Sequence, residues 1–215
     1  MASCDMTNEN KSNLFIYGDS FSDDWLSAKS FIASKKEQGH YARLFEKKNK
    51  KEPIHFSDIL ESKLNINKKY NFATGGACNY TILESLTKTI HLIQPNDFIF
   101  FQWSDISRYR TVESGKWYVH HIGDKDARQS IERVSEITVK EIENWTHLLK
   151  TVLPENTFIW TPFLNLPVYT INQKSISIIK EETNGDIPDN HWGNEGHKQA
   201  GNVLYKAFIN QNSLV

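Results

Sequence analysis

A serine that follows a short apolar run, a glycine and an aspartate is the candidate nucleophile of this chain. The run Leu14–Tyr17 predicts a buried strand, and Gly18, Asp19 and Ser20 stand where the chain leaves the sheet. Open α/β sheets bind ligands beyond the carboxyl ends of their strands, which places Ser20 in that crevice. A hydroxyl group there attacks a carbonyl carbon when a nearby base takes its proton. The alternative is an ordinary turn in which Ser20 has no chemical role.

A histidine close to the end of the chain is the predicted base. Imidazole groups exchange protons near neutral pH, as a general base for a hydroxyl group must. Asp189 precedes His191 by two residues and can orient the imidazole and stabilise its cation. Ser20, His191 and Asp189 are therefore the predicted catalytic residues. A metal site at His191 and His197 is the alternative, but the sequence around them offers no cysteine or third histidine at a suitable spacing.

The elements that must position these residues alternate between strands and helices. Apolar runs predict strands at 14–17, 70–73, 97–103 and 157–160, with a hairpin arm at 117–119; residues 176–179 form another strand or part of an extended segment. Apolar residues three and four apart predict helices at 56–64, 79–93, 130–153 and 193–210; residues 39–48 share that spacing, and 25–33 form a helix or a compact loop. This alternation predicts an α/β fold with a mostly parallel sheet and helices on both faces.

The composition is that of one globular domain. The chain has 215 residues, of which 39% are hydrophobic and 24% charged, and 25 basic residues balance 26 acidic ones. A net charge of −1 without a basic stripe argues against nucleic acid as a partner. No apolar run is long enough for a signal peptide or a membrane span, so we expect a cytoplasmic protein with no membrane partner. We divide the chain into a flexible tail, residues 1–13, and a single domain, residues 14–215.

The chain resembles the SGNH/GDSL hydrolase superfamily in three motifs, which occur in the same order along the sequence. They are Gly18-Asp19-Ser20 after the first strand, Gly76 in the turn after the second, and the loop that contains Asp189, His191, Gly196 and His197. The resemblance implies a three-layer α/β/α sandwich of the flavodoxin-like type, with Ser20 as the nucleophile and Asp189 and His191 as its partners. It also implies an oxyanion hole that contains the backbone N–H groups of Ser20 and Gly76.

The third motif of the superfamily supplies an asparagine side chain to the oxyanion hole, and this chain departs from it. Ser104 stands at that position, where its shorter hydroxyl group can still donate one hydrogen bond. Asn79, three residues after Gly76, is the alternative side-chain donor. Loss of one oxyanion donor costs about 2.7–4 kcal/mol of transition-state stabilisation. We therefore expect slower catalysis if neither Ser104 nor Asn79 donates a hydrogen bond to the oxyanion.

Residues beside the motifs are candidate substrate contacts. The string from Trp103 to Arg108 is similar to a subgroup of the superfamily found among phage and bacterial proteins. Arg108 can hold a carboxylate or an acidic sugar there, or it can form a structural ion pair. Trp103 and Trp192 can line a sugar or acyl pocket, or they can pack in the core.

The resemblance implies a serine ester hydrolase that removes O-acyl groups, acetyl above all, from a carbohydrate. The expected partner is a small-molecule or glycan ester, and no metal or organic cofactor is implied. The Asp-x-His spacing is similar to that of polysaccharide O-acetyltransferases in this superfamily, so an O-acyltransferase is one alternative. A non-catalytic binding or structural protein that keeps the fold, such as a virion-associated component, is the other. The oligomeric state is left open.

Overall fold

The chain is built on one parallel sheet, seen here in a computed structural model that describes residues 12–23, 54–113, 116–121, 131–163, 166, 168–186 and 190–212. The strands are β1 (Leu14–Tyr17), β2 (Lys69–Asn71), β3 (Phe98–Gln102), β4 (Arg108–Glu113), β5 (Lys116–His121), β6 (Thr157–Thr161) and β7 (Tyr169–Thr170). The helices are α1 (Phe56–Leu64), α2 (Asn79–Thr89), α3 (Ile131–Val152), α4 (Ile179–Glu182) and α5 (Asn194–Asn212), with 3-10 turns at Ile90–Leu92 and Gln173–Ser175.

Both faces of the sheet are covered, which explains the continuous apolar runs of its central strands. Successive side chains of a strand point to opposite faces, so each strand contributes to two cores. One core holds Phe15, Tyr17, Ile99 and Phe101 against α2 and α3; the other holds Leu14, Ile16, Phe100 and Trp160 against α1 and α5. The structure is a three-layer α/β/α sandwich, and the predicted fold class is confirmed.

The order of the strands in the sheet is β2-β1-β3-β6-β7, and every neighbouring pair is parallel. Counted along the chain, this is the flavodoxin-like order 2-1-3-4-5. The order reverses between β1 and β3, where adjacent connections leave toward opposite faces of the sheet. Such a switch point opens a crevice at the carboxyl ends of its two strands. Ser20 follows β1 and Ser104 follows β3, so both lie at this crevice.

Three parts of the predicted secondary structure need comment. Residues 176–179 are not a strand of the sheet; the alternative, an extended segment, is confirmed at Ile176 and Ile178, whose backbones are extended, and Ile179 begins the short helix α4. The last strand of the sheet is instead β7. Its two residues are too few to show the pattern of apolar residues from which a strand is predicted. The predicted arm at 117–119 is confirmed and larger, because β4 and β5 pair antiparallel from Arg108 opposite His121 to Glu113 opposite Lys116.

Several predictions fall on residues that the structure does not describe. The expected helical segments 25–33 and 39–48 lie outside the described residues, as does most of the expected tail, 1–13. Asn13, at the end of that tail, bonds to the Asp97 carboxylate through both its backbone and its side-chain nitrogen. None of the helices in the described ranges has the length and apolar character needed to cross a membrane.

Candidate active site

The hydroxyl group of Ser20 and the imidazole of His191 form a hydrogen-bonded pair. The distance from Ser20 Oγ to His191 Nε2 is 2.8 Å, across 171 residues of sequence. Both side chains are partly exposed, so a substrate can reach them from solvent. A nucleophile within hydrogen-bonding distance of a base is the geometry that serine-dependent acyl transfer requires.

A tight turn after β1 presents the serine. The carbonyl oxygen of Asp19 accepts hydrogen bonds from the amides of Ser22 and Asp23, at 3.0 and 2.9 Å. Gln102, the last residue of β3, accepts a hydrogen bond from the Ser22 hydroxyl at 2.5 Å. A Cβ at Gly18 would lie only 2.6 Å from Gln102 Oε1 and 2.7 Å from the Ser22 side chain. A side chain at position 18 would therefore displace the hydrogen-bonded side chains of Gln102 and Ser22, which glycine avoids.

The carboxylate of Asp19, the residue before Ser20, is fully buried and accepts four hydrogen bonds. Its Oδ1 accepts from the Phe21 amide at 3.0 Å and from Gln102 Nε2 at 2.5 Å. Its Oδ2 accepts from the Ser104 hydroxyl at 2.7 Å and from Arg108 Nη1 at 3.0 Å. A buried charge is tolerated when it is paired and its lone pairs are occupied, as they are here. Asp19 therefore ties the turn that carries Ser20 to the end of β3.

A second turn stands beside the first and contains Gly76. The amide of Thr74 donates to the carbonyl oxygen of Gly18 at 3.1 Å, and the amide of Gly75 donates to the Asp23 carboxylate at 2.9 Å. Gly76 has a φ of +76°, in the left-handed region that a side chain disfavours. The loop after β2 is thus fixed against the loop after β1.

Two backbone N–H groups in these turns are available to an oxyanion. Among the described residues, the amides of Ser20 and Gly76 have no hydrogen-bond acceptor. Amides of this kind, close to a nucleophile, can stabilise the negative charge that develops on a carbonyl oxygen during attack. They are the two backbone groups that the resemblance implied.

The two candidate side-chain donors, Ser104 and Asn79, make hydrogen bonds within the protein. The single hydroxyl proton of Ser104 goes to the Asp19 carboxylate. Asn79 holds the backbone of Ser104 from both sides: its Oδ1 accepts from the Ser104 amide at 2.7 Å, and its Nδ2 donates to the Ser104 carbonyl at 3.3 Å. Ser104 therefore supports the site, whereas Asn79, whose amide has a second N–H, supports the Ser104 backbone and remains the alternative oxyanion donor.

Of the three predicted substrate contacts, one lies beside the Ser20 turn and two are buried in the cores. Arg108 lies beside the nucleophile turn in an ion pair with Asp19, and its side chain is 16% exposed. Trp103 and Trp192 are buried in the two cores, where a substrate does not reach them, so their predicted contact with substrate is corrected to packing. The indole nitrogen of Trp103 donates to the Thr146 hydroxyl at 2.9 Å, which satisfies it inside the core.

Phe21 is an aromatic residue of the site that the sequence analysis did not single out. It directly follows the nucleophile and is partly exposed, with its ring centroid 5.0 Å from that of His191. Trp192 and Phe163 pack on the same ring, at 5.2 and 5.8 Å. The imidazole of His191 is therefore supported by an apolar side chain from the nucleophile's own turn. Asp189, the predicted orienting acid, lies outside the described residues.

A pair of buried histidines lies behind the catalytic loop. The rings of His55 and His197 are 4.8 Å apart, and Trp192 packs against His197. His197 Nδ1 accepts a hydrogen bond from the Phe56 amide, which makes it a structural acceptor at the start of α1. Burial, with a smaller contribution from the charge of Lys69, lowers the pKa of His55 from 6.5 to about 3. Burial, reinforced by His55, also holds the pKa of His197 well below its ordinary value.

These buried imidazoles predict that the fold is sensitive to acid. The unfolded chain binds protons at histidine near pH 6.5, whereas the folded chain does not, so stability is complete above that pH and falls toward pH 3. At pH 5, His55 alone is expected to lower the free energy of unfolding by about 2 kcal/mol relative to pH 7. Urea unfolding at a series of pH values measures this.

The variant His55→Asn separates this effect from general acid sensitivity. Asparagine keeps a side-chain acceptor for the Ser57 amide at the N-cap of α1 but removes the imidazole. We expect a shallower loss of stability between pH 7 and pH 5, while His147→Asn, at an exposed position, follows the native curve. Equal slopes for native protein and His55→Asn would contradict the explanation.

Comparison of this chain with protein-family models, with curated proteins and with solved structures found no match. The functional argument therefore rests on the order of the strands, on the position of Ser20 at the switch point and on the geometry of the Ser20–His191 pair.

Proposed function

We propose that this protein is a serine ester hydrolase of the SGNH type, which removes O-acyl groups by way of an acyl-enzyme. The observation that carries the proposal is the 2.8 Å contact between Ser20 Oγ and His191 Nε2, at the carboxyl edge of a parallel sheet. No metal or organic cofactor is part of the proposed reaction.

The proposed reaction has two steps. His191 takes the proton of the Ser20 hydroxyl as the oxygen attacks the ester carbonyl, and the amides of Ser20 and Gly76 stabilise the oxyanion. His191 then returns the proton to the leaving alcohol, and the acyl group remains on Ser20. In the second step, His191 takes a proton from water as the water oxygen attacks the acyl carbonyl, and it returns that proton to Ser20 Oγ as the acyl–Oγ bond breaks and the carboxylic acid leaves. Asp189 keeps its predicted role as the residue that orients the imidazole.

The proposed substrate is an acetyl or other short acyl ester, carried by a carbohydrate or a small molecule. The pair is partly exposed, which suits an acyl group displayed on a larger molecule. An O-acyltransferase would form the same acyl-enzyme and differ only in its acceptor. A non-catalytic protein is disfavoured by the 2.8 Å contact between Ser20 Oγ and His191 Nε2, which places a base on a partly exposed hydroxyl group.

Hydrolysis of p-nitrophenyl acetate and release of acetate from acetylated xylan test the proposal. The native protein is expected to hydrolyse at least the first ester, and Ser20→Ala is expected to reduce kcat to the background rate because no acyl-enzyme forms. Ser62→Ala, at an exposed position of α1, is the matched control and should behave as the native protein. Ester hydrolysis that survives in Ser20→Ala would contradict the mechanism.

A further inference from the structure

The loop that carries His191 is fastened to the segment around the short helix α4. The amide of Ile179 donates to the carbonyl oxygen of His191 itself, at 2.9 Å. Gly193 donates to the carbonyl oxygen of Ser177 at 3.2 Å, and Ile178 forms an antiparallel bridge with Trp192. The backbone on both sides of the imidazole is thus held by one short stretch of chain.

Glu182, at the end of α4, extends this attachment to the start of α5. Its Oε1 accepts hydrogen bonds from the amides of Glu195 and Gly196, at 3.0 and 3.1 Å. The first N–H groups of a helix have no partner within the helix and lie at its positive end. A carboxylate that accepts two of them fixes the first turn of α5, which begins three residues after His191.

Gly193 leaves the space that this carboxylate occupies. A Cβ built on Gly193 would lie 2.2 Å from Glu182 Cδ and 2.3 Å from Oε2. Any side chain at position 193 would therefore displace the carboxylate from the α5 amides. The contact consequently depends on two residues that are distant in sequence, and each can be changed without changing the other.

We propose that Glu182 is a positioning residue for His191, an inference that rests on the proposed ester hydrolysis. It acts through the backbone: the carboxylate anchors the first turn of α5, and α4 in turn holds the carbonyl of His191. Its loss lets the catalytic loop shift relative to Ser20, and displacements of about 1 Å can reduce catalysis by up to 100-fold. The effect falls on kcat, because the Glu182 carboxylate bonds to the backbone of α5 and acts on the position of His191.

Steady-state kinetics with p-nitrophenyl acetate and the rate of labelling by a fluorophosphonate test this role. Glu182→Ala is expected to lower kcat and the labelling rate about tenfold or more while KM changes less than twofold. Glu182→Gln keeps a side-chain oxygen for the two amides and should restore most of the rate. Glu195→Gln, which removes an exposed charge from the same helix turn, is the matched control and should leave both rates unchanged.

Gly193→Ala provides the independent arm of the experiment. It should lower kcat as Glu182→Ala does, and the double variant should be no slower than the slower single variant, because both remove one contact. All variants are assayed at a temperature at which circular dichroism shows them to be folded. Full activity in folded Glu182→Ala would overturn the positioning role of Glu182 and leave the proposed hydrolysis standing. A loss of activity in Glu195→Gln as large as that in Glu182→Ala would do the same. A folded native protein without hydrolysis or labelling would overturn the proposed function and this inference together.

Discussion

Replacing His191 by alanine is expected to lower kcat for ester hydrolysis by about 10⁴-fold to 10⁶-fold. The imidazole is the base within hydrogen-bonding distance of Ser20, and without it the hydroxyl proton has no acceptor in the transition state. KM should change little, because the contact is made to the nucleophile. Stopped-assay measurements with long incubation quantify the residual rate against protein-free buffer.

The double variant Ser20→Ala with His191→Ala tests whether the two residues act as one catalytic unit. Residues that act as one unit are strongly non-additive, so the double variant should be as slow as either single variant. His147→Ala, at an exposed position of α3, is the control and should keep the native rate. A His191→Ala protein that retains more than a few per cent of the native kcat would show that the pair is not the catalytic unit.

Replacing Asp19 by alanine is expected to lower the free energy of unfolding by about 3–5 kcal/mol, because it breaks a buried ion pair. Arg108 would keep a largely buried cation without its carboxylate, and Gln102 and Ser104 would lose the acceptor for their protons. For a chain of this size the melting temperature should fall by roughly 10 °C. Urea unfolding and a thermal scan measure both quantities.

A double-mutant cycle separates the ion pair from the rest of the network. Asp19→Ala with Arg108→Met removes both charges, so it should be more stable than the sum of the two single losses predicts, by about 2 kcal/mol. Asp105→Ala removes a partly exposed carboxylate that accepts one amide, from Ser107, and should cost about 1 kcal/mol. Additive losses in the cycle would contradict the stabilising role of the pair.

The sequence was sufficient to predict the strands and helices whose apolar residues recur at a clear spacing. The apolar runs of β1, β3 and β6 specify strands covered on both faces, and the long amphipathic spacing of α3 specifies a helix on one of them. Those strands define the switch point between β1 and β3. Because the serine follows β1 directly, its place at the carboxyl edge followed from the order of elements along the chain.

The surroundings of the nucleophile could not be predicted in the same way. A sequence locates Trp103 and Trp192 near the motifs but does not show that their rings turn into the cores. Likewise, Ser104 has the donor that an oxyanion needs, but its hydroxyl proton is engaged by Asp19, and one N–H of Asn79 is engaged by the Ser104 carbonyl. These outcomes depend on which neighbour lies within hydrogen-bonding distance, and side-chain type does not determine that.

Covalent labelling of the purified native protein with a fluorophosphonate tests the central claim, an activated serine at position 20, most directly. The structure predicts one label per chain, which mass spectrometry locates on the peptide that contains Ser20, and no label on Ser20→Ala. His191→Ala should label only at the rate of an unactivated serine, because its hydroxyl has no base. A native protein that is folded by circular dichroism and takes no label, or takes it on another residue, would contradict the account.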